Sequence, residues 1–107
     1  MLNVLFNLLK NALYFIQDAR KGDITIWTES SESFNKLHFR DTGKGISSAT
    51  LPYIFESFFT QTRHGTGIGL AFCRMVIKEM GGEIRCLSEL GKYTHFIVEL
   101  PIVRDAK

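Results

Sequence analysis

The chain has 107 residues, of which 45% are apolar and 22% are charged. This length supports one domain with one core and is too short for two. The formal net charge is only +2, and the basic residues are scattered, which argues against a nucleic-acid partner. The apolar runs are too short to span a membrane. Cys73 and Cys86 have neither CxxC nor metal-ligand spacing, so we predict two free, buried thiols.

The first half of the chain predicts a helix followed by a β-hairpin. Over residues 2–16, apolar side chains recur at helical spacing and predict one buried face, formed by Leu5, Leu8, Leu9, Ala12, Leu13 and Ile16. β-Branched and aromatic residues favour strands at 24–28 and 34–41, separated by a polar turn. Strands this close in the sequence are expected to pair antiparallel.

The second half predicts two further helices and a second hairpin. A short helix is expected from Ser47 or Ser48 to about Phe59, because Pro52 is tolerated in a first helical turn. The remaining predicted elements are a loop at 60–66, a helix from Gly67 or Gly69 to Met80, and strands at 83–88 and 94–100. The whole pattern favours the α+β class: two layers, with a mixed, mainly antiparallel sheet and the helices on one face.

Three asparagines and a tyrosine form a stripe on the first predicted helix. Asn3, Asn7, Asn11 and Tyr14 are spaced four, four and three residues apart, which places them on one side of a helix. The stripe is either an ordinary solvated face or a binding face. Asparagine is a poor residue inside a helix, which favours the second interpretation. Its amide oxygen is a suitable ligand for magnesium.

The segment from Asp41 to Ile46 is a glycine-rich turn directly after a predicted strand. The pattern DxGxG, with Gly43 and Gly45, occurs in tight loops for conformational reasons alone. The functional alternative is that Asp41 accepts a hydrogen bond from an amine-bearing ring. The glycines would then let that ring approach the backbone.

A second glycine-rich turn, from Gly65 to Leu70, precedes the last predicted helix. Glycines at a helix N-terminus expose backbone N–H groups, and the helix dipole favours negative charge there. The segment is therefore either a phosphate site or a flexible connection. It does not match a P-loop or a dinucleotide-binding fingerprint, because the spacing of its glycines differs from both.

Taken in order, these motifs resemble the catalytic ATP-binding domain of sensor histidine kinases, which has the Bergerat fold. The N box resembles Asn7–Ala12 and the G1 box Asp41–Ile46. The F box resembles Ile54–Phe59, and the G2 box resembles Gly65–Leu70. The resemblance extends over essentially the whole chain, from residue 1 to residue 107, and includes the closing strands.

The resemblance implies a site for ATP and Mg2+. Asn11 would ligate the magnesium ion that bridges the phosphates, and Asn7 would support it from one turn away. Asp41 would hold the adenine amino group, Thr94 would help to close the adenine pocket, and Phe59 would anchor the lid over the site. The other residues expected at the nucleotide are Gly43, Gly45, Ile46, Gly65, Thr66, Gly67, Ile68, Gly69 and Leu70.

The chain departs from the family pattern at the phosphate side. Many members carry Lys or Arg three residues after the magnesium asparagine, where this chain has Tyr14. We still expect Tyr14 at the nucleotide. Arg63 is the nearest cation in the short lid, and it either contacts a phosphate or is an exposed loop residue.

The resemblance also implies the reaction and the partners. Hydrolysing relatives have a glutamate where this chain has Asn7, so fast hydrolysis is not expected. None of the three histidines lies in a helical His-Glu or His-Asp context. We therefore predict transfer to a histidine on a separate dimerisation domain of the same protein, and then to a response regulator receiver domain.

On this interpretation the chain is a fragment of a larger kinase and lacks the family's N-terminal strands and its dimerisation domain. It would be the cytoplasmic domain of a membrane-bound sensor, without direct membrane contact. The N box faintly resembles that of cholera-autoinducer-type kinases. Two alternatives remain open: a serine kinase of the anti-sigma-factor type, and a nucleotide-binding pseudokinase module.

Overall fold

A computed structural model describes residues 2–56 and 69–102 of the chain. The elements in these ranges are α1 (Leu2–Ala19), β1 (Ile24–Ser30), β2 (Phe34–Asp41), a 3₁₀ turn (Leu51–Tyr53), α2 (Gly69–Glu79), β3 (Glu83–Glu89) and β4 (Tyr93–Pro101). The strands form one sheet in the order β1-β2-β4-β3, and every pairing within the described ranges is antiparallel. Helices α1 and α2 contact each other and the sheet. The predicted two-layer α+β fold with a mainly antiparallel sheet is confirmed.

The core lies between the helices and one face of the sheet. Alternate residues of β2 and β4, including Phe39, Phe96 and Val98, point to this side and are buried. We call it the inner face. The opposite side, which carries His38 and His95, is the outer face.

Helix α1 buries the predicted stripe in part: Leu8 and Ala12 are buried, and Leu5 and Leu9 pack against the core. The buried residues are Val4, Leu8, Ala12 and Phe15. Leu13, which the prediction placed on the buried face, is 44% exposed. The reason is the helical period, because Leu13 follows Ala12 by about 100° of rotation and so points away from the sheet. The helix also runs past residue 16 to Ala19, and Arg20 ends it in a left-handed conformation with φ of 56°.

The predicted helix from residue 47 or 48 to Phe59 is wrong over its described part. The carbonyl oxygen of Ser47 accepts bonds from the backbone nitrogens of Thr50 and Leu51, at 3.1 and 2.9 Å, which closes a single turn. The 3₁₀ turn follows, and Pro52 stands in its first positions as expected. Ile54 is buried, and Leu51 and Phe55 pack against the core beside it, so the segment meets the core although it forms only short turns over its described part.

Helix α2 ends where the glycines predicted an end. Gly81 has a φ of 80°, and the backbone nitrogen of Gly82 bonds to the carbonyl oxygen of Ile77 at 2.9 Å. Cys73 of α2 is buried and Cys86 is partly buried, and both are free thiols as predicted. Across the described ranges, no helix combines the length and the apolar character that a bilayer crossing requires.

Candidate functional site

Asp41 is the last residue of β2 and lies on the inner face with 2% of its surface exposed. Its Oδ1 accepts a hydrogen bond of 3.0 Å from the backbone nitrogen of Gly43. Burial raises the pKa of this carboxyl to about 6, although the bond from Gly43 acts in the opposite direction. A carboxylate can accept about four hydrogen bonds, so the group retains acceptor capacity for a ligand that carries N–H donors.

Two further polar residues extend from Asp41 across the inner face. In the strand register, Asp41 lies opposite Thr94, and Thr94 lies opposite Ser88. We call these three residues the polar row. Thr94 is fully buried, and its Oγ1 lies 3.3 Å from the Oγ of Ser88. Because apolar residues surround the row, it forms a polar strip at one end of the core.

Ser88 also holds the glycine-rich turn that follows Asp41. Its Oγ accepts a bond of 2.7 Å from the backbone nitrogen of Ile46 and donates one of 2.6 Å to the carbonyl oxygen of Tyr93. We did not predict a role for Ser88 from the sequence. The signal was present, since Ile84, Cys86 and Ser88 alternate in β3 and Ser88 is the polar residue among them.

The turn from Asp41 to Ile46 is held between α1 and the β3–β4 turn. A Cβ added to Gly43 would lie 2.7 Å from the backbone carbon and oxygen of Phe15. Gly45 has a φ of +70°, and an added Cβ there would collide with the carbonyl oxygen of Glu89. Both glycines are therefore required by the backbone of the protein itself. Clearance for a ligand ring, as predicted, would be a second reason for them.

The asparagine stripe lies on α1 as predicted, and the amide nitrogens of Asn7 and Asn11 bond back along the helix. The Nδ2 of Asn7 donates to the carbonyl oxygen of Asn3 at 2.9 Å, and the Nδ2 of Asn11 donates to that of Asn7 at 3.2 Å. These bonds engage the nitrogens and leave acceptor capacity at the amide oxygens. A Cβ on Gly69 would lie 2.8 Å from the Oδ1 of Asn7. The first residue of α2 is therefore brought close to the N box.

An oxygen ligand such as Asn11 fits Mg2+, which usually takes one or two protein oxygens together with substrate phosphates and water. Within residues 2–56 and 69–102, no group of three or more His, Cys, Asp or Glu side chains could hold a metal ion. A magnesium ion at Asn11 would therefore depend on phosphate oxygens for much of its coordination.

The remaining predicted residues divide into those that the structure describes and those that it does not. Ile46 is 2% exposed and belongs to the core, and Leu70 packs against that core. Tyr14 packs against the same core, and the Lys44 ammonium lies over its ring. Six predicted residues lie outside the described ranges: Phe59, Arg63, Gly65, Thr66, Gly67 and Ile68.

The sequence of the chain matches a known protein family. Residues 1–104 match the family described as histidine kinase-, DNA gyrase B- and HSP90-like ATPases. The chain belongs to this family. Its members are ATPases by that description, so the expected ATP site and Bergerat fold agree with the match.

Sensor kinases are among the relatives of the chain. It is 40% identical over 104 residues to the autoinducer 1 sensor kinase/phosphatase LuxN of Vibrio harveyi, covering 96% of the chain and 12% of that protein. It is 42% identical over 98 residues to the CAI-1 autoinducer sensor kinase/phosphatase CqsS of Vibrio cholerae, covering 91% of the chain and 14% of that protein. The resemblance to cholera-autoinducer-type kinases is thereby confirmed. The chain spans only these small shares of the curated relatives that it matches.

Solved structures of histidine kinases share the fold. The catalytic domain of histidine kinase ThkA superposes with a TM-score of 0.78 at 33% identity, covering 92% of this chain and 64% of that one. Full-length ShkA in complex with AMPPNP superposes with a TM-score of 0.83 at 27% identity, covering 98% of this chain and 22% of that one. The histidine kinase fold therefore extends over nearly all of the chain.

Proposed function

We propose that the chain binds Mg-ATP and supplies its γ-phosphate to a histidine on a separate dimerisation domain of the same protein. The observation that carries the proposal is the buried carboxylate of Asp41, which has acceptor capacity beyond its bond from Gly43. A buried acceptor of this kind is costly unless a donor reaches it. The exocyclic amino group of adenine is such a donor.

On the adenine side, the polar row would recognise the base. Asp41 would accept a hydrogen bond from the amino group, and Thr94 beside it would close the pocket with its hydroxyl. Ser88 would keep the turn from Asp41 to Ile46 in place through its bond to the backbone nitrogen of Ile46. The turn is thus anchored through protein contacts, so little ordering would be needed when the base enters.

On the phosphate side, Asn11 would hold Mg2+ through its amide oxygen, and Asn7 would stand one helical turn away. Magnesium would neutralise charge on the phosphates, while the protein contributes positioning. An amide such as Asn7 cannot act as a general base. We therefore propose that the site retains ATP and hydrolyses it slowly, so that the phosphate goes to a protein acceptor.

The acceptor histidine would lie on another domain. His38 and His95 occupy strands and lie within hydrogen-bonding distance of each other on the outer face, away from Asp41. His64 lies outside the described residues. We propose that residues 1–107 form the cytoplasmic catalytic domain of a membrane-bound two-component kinase, and that a response regulator receives the phosphate from the acceptor histidine.

Calorimetric titration tests the nucleotide site directly. ADP and a non-hydrolysable ATP analogue would be titrated into the wild-type chain with and without magnesium, and then into Asp41→Asn. We expect wild type to bind both nucleotides and magnesium to tighten binding of the ATP analogue. Asp41→Asn should bind about 30-fold more weakly, because the hydrogen bond to a charged acceptor contributes about 2 kcal/mol. Asp23→Asn, which makes the same change at an exposed aspartate, is the matched control.

The outcomes separate the alternatives. No nucleotide binding by wild type at millimolar concentration would favour a module that only docks to a partner. Equal binding by Asp41→Asn and wild type would contradict the adenine assignment. Transfer of labelled phosphate to a dimerisation domain added in trans would support the histidine kinase proposal. Transfer to a serine-bearing partner protein instead would favour the serine kinase.

A further inference from the structure

Lys44 stands between the two glycines of the turn, and its side chain folds back onto α1. Its Nζ lies 4.8 Å from the ring centroid of Tyr14 and 5.4 Å from that of Phe15. The same nitrogen forms an ion pair of 3.1 Å with the Oδ2 of Asp18. The Lys44 side chain is 26% exposed, so the aromatic rings and the carboxylate together hold a cation that is largely withdrawn from solvent.

The helix places this cation on the same side as the N-box asparagine. Asn11, Tyr14 and Asp18 are spaced three and four residues apart, so their side chains lie along one side of α1. Tyr14 follows Asn11 by less than one helical turn, a rise of about 4.5 Å. The ammonium over the Tyr14 ring therefore lies on the side of α1 that carries the side chain that would hold magnesium.

The backbone of Lys44 is fixed at both of its polar groups. Its nitrogen donates to the carbonyl oxygen of Phe15 at 3.3 Å, and its carbonyl oxygen accepts a bond of 2.6 Å from the nitrogen of Gly91. The position of the Lys44 backbone is therefore fixed, and only a few side-chain rotamers bring its ammonium to α1. Little conformational freedom would have to be lost for the ammonium to contact a ligand there.

We propose that Lys44, held on the Tyr14 ring, supplies the positive charge for the nucleotide phosphates that many related kinases carry at the position of Tyr14. The inference rests on the proposed ATP site. An ammonium has three donors, and the bond to Asp18 uses one of them. The other two are available to phosphate oxygens. The Tyr14 ring would thus hold the ammonium in place through a cation–π contact, and Lys44 would supply the charge.

The test compares adenosine with ADP, because only ADP carries phosphates. Lys44→Met should weaken ADP binding about tenfold and change adenosine binding by less than about twofold, as expected for loss of one charge-assisted contact. Lys36→Met is the matched control, since Lys36 is an ion-paired lysine on the outer face. We expect it to leave both affinities unchanged.

A double variant tests whether the position of the charge is what matters. Lys44→Met combined with Tyr14→Lys moves the cation to the position that related kinases use, and it should restore most of the lost ADP affinity. Asp18→Asn frees the ammonium and should tighten ADP binding about twofold to threefold. Circular dichroism and thermal unfolding would establish that each variant is folded.

The failures are distinguishable. If Lys44→Met weakens adenosine and ADP equally, Lys44 only braces the turn, and the inference is overturned. It is also overturned if ADP affinity does not change, or if Tyr14→Lys does not rescue the folded variant. If the wild-type chain binds neither adenosine nor ADP, the proposed ATP site itself fails.

Discussion

The two faces of the sheet each bury polar side chains, but they satisfy them differently. On the inner face, the Asp41 carboxylate accepts a bond from Gly43 and keeps further acceptor capacity. On the outer face, His38 is 6% exposed and both of its ring nitrogens have partners. Its Nδ1 lies 2.8 Å from the Nε2 of His95, and its Nε2 lies 2.5 Å from the Oε1 of Glu29.

The outer cluster is also shielded by an aromatic ring. Trp27 stacks on His38 with a centroid separation of 4.6 Å and an interplanar angle of 4°. Burial lowers the pKa of His95, and the nearby charges of His38 and Arg40 lower it further. The buried carboxylate of Asp41 has spare hydrogen-bonding capacity, as expected at a ligand site, whereas the partners of the buried His38 ring are complete, as expected of a structural group.

The largest effect should come from the inner-face turn. Gly45→Ala places a Cβ against the Glu89 carbonyl oxygen at a positive φ, so we expect a loss of about 3 kcal/mol in the free energy of unfolding. Gly91→Ala is the control, because Gly91 also has a positive φ but an added Cβ meets no atom within 4 Å. It should cost about 1 kcal/mol. Urea unfolding measures both, and equal losses would contradict the clash.

On the outer face, His38→Ala should lower the free energy of unfolding by about 2 kcal/mol. The change removes the ring that stacks on Trp27 and leaves Glu29 and His95 without their shared partner. Nucleotide affinity of the folded variant should stay within about twofold of wild type, since His38 lies on the opposite face of the sheet and shares no hydrogen bond or ring contact with the described residues of the proposed nucleotide site. Chemical denaturation and ADP titration give the two readouts, and a large loss of affinity would break the distinction between the faces.

Asp41→Asn should act in the opposite direction on stability. The folded state raises the pKa of Asp41 from 3.8 to about 6, so wild type loses stability as the pH rises from about 4 through about 6. The amide cannot ionise and escapes this loss. At pH 7.5 we expect the nucleotide-free variant to be more stable than wild type by about 1 kcal/mol, with a smaller difference at pH 4.5. Denaturation curves at both pH values measure this, and a less stable variant at pH 7.5 would be evidence against a strained carboxylate.

The smallest effect should be the contribution of His95 to the loss of folding stability at acidic pH. Its lowered pKa means that the unfolded chain binds a proton more readily than the folded one. The contribution of His95 is therefore present above its ordinary pKa and is lost as the pH falls below it. We expect His95→Gln to unfold with less loss of stability between pH 7 and pH 5.5 than wild type. Thermal unfolding across this range is the measurement, and an unchanged slope would show that His95 does not carry the effect.

Local patterns predicted much of the fold, and long-range contacts account for what they missed. The strands were predicted to within a few residues, because β-branched and aromatic residues mark the strands and polar or glycine-containing segments mark the turns between them. The buried stripe of α1 was predicted only in part, because Val4, Leu13 and Phe15 are all apolar and only the position of the sheet decides which of them is covered. The helix predicted from residue 47 or 48 was wrong because one serine closes a single turn there.

The site shows the same division between local and long-range information. Asp41 and its glycines could be predicted because they are adjacent in the sequence. The partners of Ser88 and Lys44 could not be predicted, since each lies at least 26 residues away in the sequence: Ile46 for Ser88, and Tyr14 and Asp18 for Lys44. Their roles depend on strand register and on the packing of a turn against a helix.

The two hairpin turns of the sheet differ in how far they could vary between homologous proteins. The backbone nitrogen of Gly91 in the β3–β4 turn holds the carbonyl oxygen of Lys44, and the carbonyl oxygen of Gly91 accepts a bond of 3.0 Å from the Nζ of Lys21. The β1–β2 turn instead bonds within itself and to Ile102. Insertions and deletions should therefore accumulate at residues 31–33 during evolution and be selected against at residues 90–92.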